Sequence, residues 1–183
     1  MANSTRIHVT GASGSGTTTL GRALARRFGC QHLDSDDFYW VPSNPPFEVA
    51  REVEERRRML HEAIAGADTW VLSGSIGEWA DSVIPMLDLV VYLEVPTAIR
   101  IERLKIREAG MFGDLILPGA PRHRPYLEFL EWAGAYELGT REGRSRPRHE
   151  AWLASLPCKV IRLDGTMAIL VLVERVIDSL RQI

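Results

Sequence analysis

Residues 10–20, TGASGSGTTTL, decide the fold of this chain and contain its first candidate site. They follow a short apolar run at residues 7–10 and precede a stretch whose apolar side chains have helical spacing. Glycines allow the backbone to turn tightly with its N–H groups pointing inward, and a helix N-terminus adds its positive dipole end. The pattern predicts a phosphate-binding loop between a strand and a helix. A flexible Gly/Ser turn before an ordinary helix is the alternative.

Single positions in the loop have separate expectations. Thr18 stands where the pattern places a hydroxyl on Mg²⁺, and Thr19 either adds a second hydroxyl or caps the helix. Thr17 occupies the place of the usual lysine, whose charge-assisted contact to phosphate is worth about 1.5–3 kcal/mol. Either an arginine from elsewhere supplies the charge, or nucleotide is bound and turned over poorly. The candidate phosphate-binding residues are Gly11, Ser13, Gly14, Ser15, Gly16, Thr17, Thr18 and Thr19.

The bulk composition excludes several classes of protein. A chain of 183 residues with 45% apolar composition predicts a single domain over 1–183. The formal net charge of -2 argues against a general nucleic-acid binder. The first residues lack the pattern of an export signal, and no apolar run approaches the thickness of a bilayer. We expect a cytoplasmic protein without a membrane partner, in which Cys30 and Cys158 are small core residues.

Strand and helix patterns alternate along the whole chain. Short apolar runs occur at residues 7–10, 31–34, 70–73, 89–94 and 159–163, and stretches with helical spacing follow residue 20 and cover 48–65, 97–108, 126–138 and 167–181. The runs lack strict alternation, which is typical of strands covered on both faces. This order predicts an α/β fold, a parallel sheet wrapped by helices with ligands beyond the carboxyl ends of the strands.

Three carboxylates, Asp34, Asp36 and Asp37, follow the second predicted strand. Clustered acids repel one another unless a cation, a donor or water lies nearby, and Mg²⁺ on phosphate oxygens is a suitable cation. We expect Asp36 to accept a proton from an attacking hydroxyl or to orient that group, and to contribute with Thr18 to the metal site. A solvated turn in which Asp34 or Asp36 caps the next segment is the alternative.

Arginines are the candidates for the missing positive charge. Arg100, Arg103 and Arg107 have i, i+3, i+7 spacing on one predicted helix face. Arg103 and Arg107 are like charges one turn apart, a repulsive arrangement unless an anion lies against it. Both are therefore expected to contact phosphate, although a solvated face paired with Glu108 is the alternative. Arg122 lies in a basic triplet that either closes over phosphates as a lid or forms a mobile solvated loop.

The region after the second strand contains candidates for binding an acceptor. The charged run that begins at Arg51 predicts an exposed helix with i, i+4 pairs such as Glu52 with Arg56, and Arg51 itself either belongs to that run or meets an acceptor's phosphate. The aromatic residues Phe38, Tyr39, Trp40 and Phe47 either stack on a base or pack in the core or at a hinge.

Several stretches resemble known proteins, namely GASGSGTTT, HLDSDDFYW, WVLSGS, LDLVVYLEVPTAIRIERLKIRE and FLEWAGAYE. Together they resemble the P-loop kinase superfamily, in particular its nucleoside and nucleoside monophosphate kinase branch. They look most like the adenylate-kinase-related proteins called DNA topology modulation proteins. The resemblance implies a three-layer P-loop NTPase fold, with a five-stranded parallel sheet between helices. It also implies an acceptor-binding excursion at about 36–66 and a lid at about 109–125.

The same resemblance implies roles for single residues. The stretch DSDDFY resembles the acidic turn of uridine and shikimate kinases, in which the aspartate matching Asp36 positions the acceptor or acts as general base. The stretch LDGT resembles the loop beside adenine in monophosphate kinases, so Asp164 and Gly165 are expected near the base. Two family features are absent, since Thr17 replaces the lysine and Ser73 replaces an acid at the end of the third strand.

These observations predict an ATP- and Mg²⁺-dependent kinase that acts on a small-molecule acceptor, a nucleoside or a nucleoside monophosphate. The alternative is a nucleotide-binding regulatory module or a weak NTPase. Binding to nucleic acid is not expected, because no helix with a basic face suited to a groove stands out.

Overall fold

The computed structural model describes residues 4–182 and contains alternating strands and helices. The strands are Thr5–Gly11 (β1), Gln31–Asp34 (β2), Thr69–Ser73 (β3), Leu89–Glu94 (β4) and Lys159–Asp164 (β5). The helices are Thr17–Phe28 (α1), Ser35–Tyr39 (α2), Val53–Ile64 (α3), Thr97–Phe112 (α4), His123–Gly134 (α5), Arg146–Ser155 (α6) and Ile169–Leu180 (α7). Two 3₁₀ segments, Glu78–Met86 and Gly113–Ile116, complete the regular structure of this part of the chain.

The five strands form one sheet in the order β2-β3-β1-β4-β5. β1 lies at the centre and pairs in parallel with both neighbours, with Ile7 opposite Val71 on one side and opposite Leu89 on the other. The predicted five-stranded parallel sheet between helices is confirmed. In such a sheet the carboxyl ends of the strands lie at one edge, where ligands are usually bound.

The core explains why the strands lack strict alternation. Ile7 and Val9 of β1 pack with Leu24 of α1 and Val176 of α7 on one face of the sheet. His8, between them in sequence, is also completely buried, so the opposite face of β1 is covered too. Helix α1 ends at Gly29, which has a left-handed backbone conformation and donates its N–H to the last turn. No helix within 4–182 has the length and apolar character needed to cross a membrane.

The chain forms two compact units. One consists of Met1–Gly11, Gly16–Leu93 and Leu156–Ile183, and the other of Ala12–Ser15 and Glu94–Ser155. The predicted excursion at about 36–66 belongs to the first unit and contains α2, a bridge between Trp40 and Ala50, and α3. The predicted lid at about 109–125 belongs to the second unit. Whether 1–183 is one functional domain stays a prediction, and residues 1–3 and 183 lie outside the described part.

Two local predictions were wrong. The helix predicted at 48–65 begins only at Val53, because the chain first returns along Trp40 to make its bridge with Ala50. Arg56 does not belong to an exposed salt-bridged face, since it is 9% exposed, donates to the Arg51 carbonyl and lies over the Tyr39 ring.

Candidate active site

The predicted phosphate loop connects β1 to α1 and depends on glycine at two positions. Gly14 and Gly16 have φ values of 82° and 94°, which L side chains rarely adopt. A Cβ atom on Gly14 would lie 2.6 Å from the Arg100 carbonyl oxygen, so no larger residue fits without moving the backbone. The Ser15 N–H donates to the Ala12 carbonyl at 3.0 Å and closes the first turn of the loop. The loop therefore has a defined shape.

The Ser15 hydroxyl is a polar group of the loop that a ligand could bond. The residue is 2% exposed, and its hydroxyl oxygen has no hydrogen-bond partner among the described residues. A buried hydroxyl without a partner costs about 1–3 kcal/mol unless a ligand, an ion or water bonds it. A phosphate oxygen would accept a hydrogen bond from this hydroxyl, which agrees with the predicted role of the loop.

Thr18 and Asp34 bring two oxygen atoms together beside the end of β2. The Thr18 hydroxyl donates to Asp34 Oδ2 at 2.8 Å, while Asp34 Oδ1 accepts the Asp36 N–H at 3.2 Å and caps α2. We expected Thr18 to share the metal site with Asp36. The structure pairs Thr18 with Asp34, and Asp36 is exposed in the first turn of α2. The shared metal site stays a prediction.

Hard oxygen ligands of this kind suit Mg²⁺. Within residues 4–182 no group of three His, Cys, Asp or Glu side chains could hold a metal ion. A metal here would therefore need further oxygens from a ligand or from water, which is typical of Mg²⁺ bound with nucleotide. The residues present fit that arrangement.

Two further titratable groups border the acidic turn. The His32 ring lies 2.9 Å from the Ser73 hydroxyl, and burial is the main reason why the pKa of His32 lies below its usual value. Burial and then the negative charge of Asp34 raise the pKa of Asp37, and His32 and Arg22 oppose that rise. His32 thus contributes a neutral hydrogen-bonding ring where the third strand ends in a serine.

The three arginines of α4 have different environments. Arg100 is completely buried and donates to main-chain carbonyls, so it does not share a solvent-facing stripe with the others. One Arg103 nitrogen lies 3.5 Å from the carbonyl oxygens of both Gly14 and Ser15. Arg107 is more exposed, pairs with Glu108 at 2.7 Å and lies over the Phe129 ring. Of the arginines that were predicted to contact phosphate, Arg103 lies beside the loop, on the side of its carbonyl oxygens.

The remaining predicted site residues lie in several parts of the fold. Arg122 precedes α5, and its guanidinium lies 4.1 Å from the centre of the Phe112 ring. Asp164 ends β5 and accepts both the N–H and the hydroxyl of Thr166, in a turn that also contains the buried Gly165. Their predicted contacts with nucleotide stay predictions.

Arg51 has a structural function that the sequence reasoning missed. Its guanidinium donates to the Phe38 carbonyl at 3.1 Å and to the Trp40 carbonyl at 3.0 Å, and it pairs with Glu55 at 3.6 Å. Arg51 is 9% exposed. These bonds fix the chain where it leaves α2, and contact with an acceptor stays a prediction.

The sequence reasoning also missed Asp34 as the partner of Thr18 and Arg100 as a buried residue beside the loop. Capping of the next segment by Asp34, the predicted alternative for the acidic turn, is confirmed, and this N-cap was the sequence signal for the position of its carboxylate. No local signal existed for Arg100, since its partners lie at positions as distant as Ala133.

Comparison with known proteins agrees with this geometry. A family model described as AAA domain matches residues 7–111. Uncharacterized protein YqaC of Bacillus subtilis is 41% identical over 174 residues, which cover 95% of this chain and 96% of that protein. Shikimate kinase 2 of Salmonella typhimurium is 30% identical over 179 residues, covering 87% of this chain and 96% of that protein. The crystal structure of shikimate kinase from Bacteroides thetaiotaomicron has the same fold, with a TM-score of 0.56 at 19% identity over 97% of this chain and 98% of that one.

Proposed function

Because the chain belongs to the AAA domain family, within the P-loop kinase superfamily, we propose that it is an ATP- and Mg²⁺-dependent phosphotransferase of the nucleotide kinase type. The observation that carries this proposal is the glycine loop after β1, with the buried Ser15 hydroxyl that has no partner among the described residues. An anion with several oxygens could accept hydrogen bonds from this hydroxyl and from the N–H groups of the loop. The resemblance to adenylate-kinase-related proteins supports the nucleotide kinase branch.

In this proposal the loop binds the phosphates of ATP or another nucleoside triphosphate. Backbone N–H groups between Ser13 and Thr18 donate to phosphate oxygens, except that of Ser15, which bonds the Ala12 carbonyl, and the Ser15 hydroxyl donates as well. Thr18 and Asp34 hold Mg²⁺, with Asp36 as a further candidate ligand. Bound Mg²⁺ supplies neutralisation of charge on the phosphate oxygens during transfer.

Two kinds of side chain act on the reacting groups. Asp36 accepts the proton of the attacking hydroxyl or orients that group, from the exposed first turn of α2. Arg103, Arg107 and Arg122 stabilise the negative charge that develops during transfer, as expected of preorganised guanidinium groups. Asp164 and Gly165 are proposed neighbours of the base.

A nucleoside or nucleoside monophosphate is the proposed acceptor. Trp40 follows Asp36 by one helical turn. The centre of its ring lies 6.0 Å from the centre of the Phe47 ring and 4.8 Å from the centre of the Tyr39 ring. These rings pack edge to face on one another, and we propose that they also border a planar base near the attacking hydroxyl. Arg51 is kept as a candidate contact for an acceptor's phosphate. Because the chain is similar to shikimate kinase 2, small hydroxy acids must be tested beside nucleotides as acceptors.

Phosphate transfer from radiolabelled ATP with Mg²⁺ tests the proposal across nucleosides, nucleoside monophosphates and small hydroxy acids. We expect labelled product with one nucleoside or monophosphate, and a loss of at least about a hundredfold in the Asp36→Asn variant. The control is Glu54→Gln, which removes an exposed acid of α3 and is expected to retain activity within about twofold. Labelled product with a hydroxy acid alone would contradict the proposed acceptor, and no labelled product with any acceptor would contradict the kinase assignment.

A nucleotide-responsive binding module is the second candidate, and Thr17 and Ser73 favour it. Thr17 stands in place of a lysine and Ser73 in place of an acid, and phosphate transfer usually employs both of those charges. Such a module would bind ATP with Mg²⁺ and transfer no phosphate to any acceptor. Calorimetric titration with ATP, followed by the transfer assay on the same sample, separates the two candidates.

A further inference from the structure

Arg100 is a fully buried cation in the first turn of α4. Its Nη1 donates to the Ser13 and Ala133 carbonyl oxygens, each at 3.2 Å, and its Nε donates to the Val95 carbonyl oxygen at 3.2 Å. A buried charge is tolerated only when it is paired and hydrogen-bonded. Arg100 meets that condition mainly with main-chain oxygens, and one of these belongs to the phosphate loop.

Two other contacts complete the surroundings of the guanidinium. Nη2 donates to the Thr97 hydroxyl at 3.0 Å and lies 3.6 Å from the Glu137 carboxylate, and the group lies 5.2 Å from the centre of the Tyr136 ring. These partners come from the start of α4 and from the turn after α5. The bond to Ser13 therefore belongs to a network that is anchored on both helices.

The bond to Ser13 has a consequence for the loop. A peptide unit is planar and trans, so its C=O and the next N–H point in opposite directions. Holding the Ser13 oxygen toward α4 therefore directs the Gly14 N–H away from α4. The neighbouring carbonyls of Gly14 and Ser15 face Arg103 at 3.5 Å, so three successive carbonyls of the loop lie against two arginines of one helix.

We infer that Arg100 is a positioning residue for nucleotide binding, which holds the loop in its phosphate-binding shape without touching the ligand. The inference rests on the proposed function, because it assigns the loop to nucleotide. It gives a role to Arg100, whose guanidinium bonds a carbonyl oxygen of the loop and not the ligand. A loop that must be ordered at the moment of binding gives a weaker affinity, since ordering backbone costs free energy.

Two variants remove the positioning contact in different ways. Arg100→Lys keeps the positive charge but loses the planar group whose three nitrogens donate at the same time to Val95, to Ser13 and Ala133, and to Thr97. Arg100→Met fills the volume with an apolar side chain and avoids an unpaired buried cation, so a folded sample is expected from at least one of the two. Thr97→Val is the matched control, because it deletes one hydrogen bond to Arg100 and leaves the Ser13 contact in place.

Two measurements on these variants and the wild type test the inference. Calorimetry with ATP and Mg²⁺ is expected to give a dissociation constant about tenfold higher in both Arg100 variants and within about twofold of wild type in Thr97→Val. Hydrogen exchange followed by NMR without nucleotide reports the Ser15 amide, which donates to the Ala12 carbonyl. We expect that amide to exchange about tenfold faster in the Arg100 variants and at the wild-type rate in the control.

An affinity for ATP within about twofold of wild type in both Arg100 variants would overturn the inference. An equal loss of affinity in Thr97→Val would overturn it too, since the effect would then reflect general damage to α4. If the wild-type protein binds no nucleotide, the proposed function fails and Ser15 exchange decides alone. Faster exchange in the Arg100 variants supports the positioning role in the loop, and unchanged exchange contradicts it.

Discussion

The substitution Gly14→Ala tests the shape of the phosphate loop with the smallest possible change. The left-handed conformation at φ 82° costs an alanine about 1–2 kcal/mol relative to glycine. The new Cβ would lie 2.6 Å from the Arg100 carbonyl oxygen and 3.1 Å from the Leu104 side chain, and overpacking of this kind costs about 1–3 kcal/mol. The two effects together predict a loss of about 2–5 kcal/mol in the free energy of unfolding.

The matched control is Gly110→Ala, in the last turns of α4. A Cβ at Gly110 meets no atom within 4 Å, so this substitution is expected to raise the free energy of unfolding by up to about 1 kcal/mol. Urea unfolding followed by tryptophan fluorescence gives both values, and calorimetry with ATP and Mg²⁺ gives the affinities. A Gly14→Ala protein that loses less than about 0.5 kcal/mol and binds ATP like the wild type would refute the reasoning.

Three further outcomes follow from the structure. Thr17→Lys is expected to change turnover by less than about threefold, because Arg103, Arg107 and Arg122 are proposed to supply the positive charge. A large gain in the transfer assay would show that the charge was missing. Asp34→Asn is expected to weaken the enhancement of ATP affinity by Mg²⁺ about tenfold in calorimetry, since the carboxylate beside Thr18 loses its charge; an unchanged enhancement would move the metal site elsewhere. Burial, assisted by Arg144, lowers the pKa of His149 to about 4, below the 6.5 of an unperturbed histidine. The free energy of unfolding is therefore expected to fall by about 2–3 kcal/mol between about pH 7.5 and about pH 4.5, and a His149→Gln variant that keeps the whole decrease in urea unfolding would contradict this assignment.

The fold could be predicted largely because its signals are local. The apolar run before Gly11 and the spacing of Leu20 and Leu24 in α1 reflect burial on one side of a sheet, and both lie where the structure has them. Helix α6 could not be predicted in this way. Only His149 and Leu153 are buried in it, so its sequence carries little amphipathic pattern.

The site was predictable as a region and less so as a set of contacts. The glycine spacing located the loop, and the aspartates after β2 located the acidic turn. The choice between Asp34 and Asp36 beside Thr18 depended on the capping of α2, which rotates one carboxylate inward. The burial of Arg100 depended on main-chain carbonyls from Ser13 and Ala133, and no local sequence pattern records such a meeting.

Amide chemical shifts measured by NMR during titration with ATP and Mg²⁺ test most directly whether the loop after β1 binds the nucleotide phosphates. The account predicts that the largest shifts occur at the amides of residues 13–18, with further changes at Asp34. Saturating shifts confined to other parts of the chain, or no shifts at millimolar nucleotide, would contradict it.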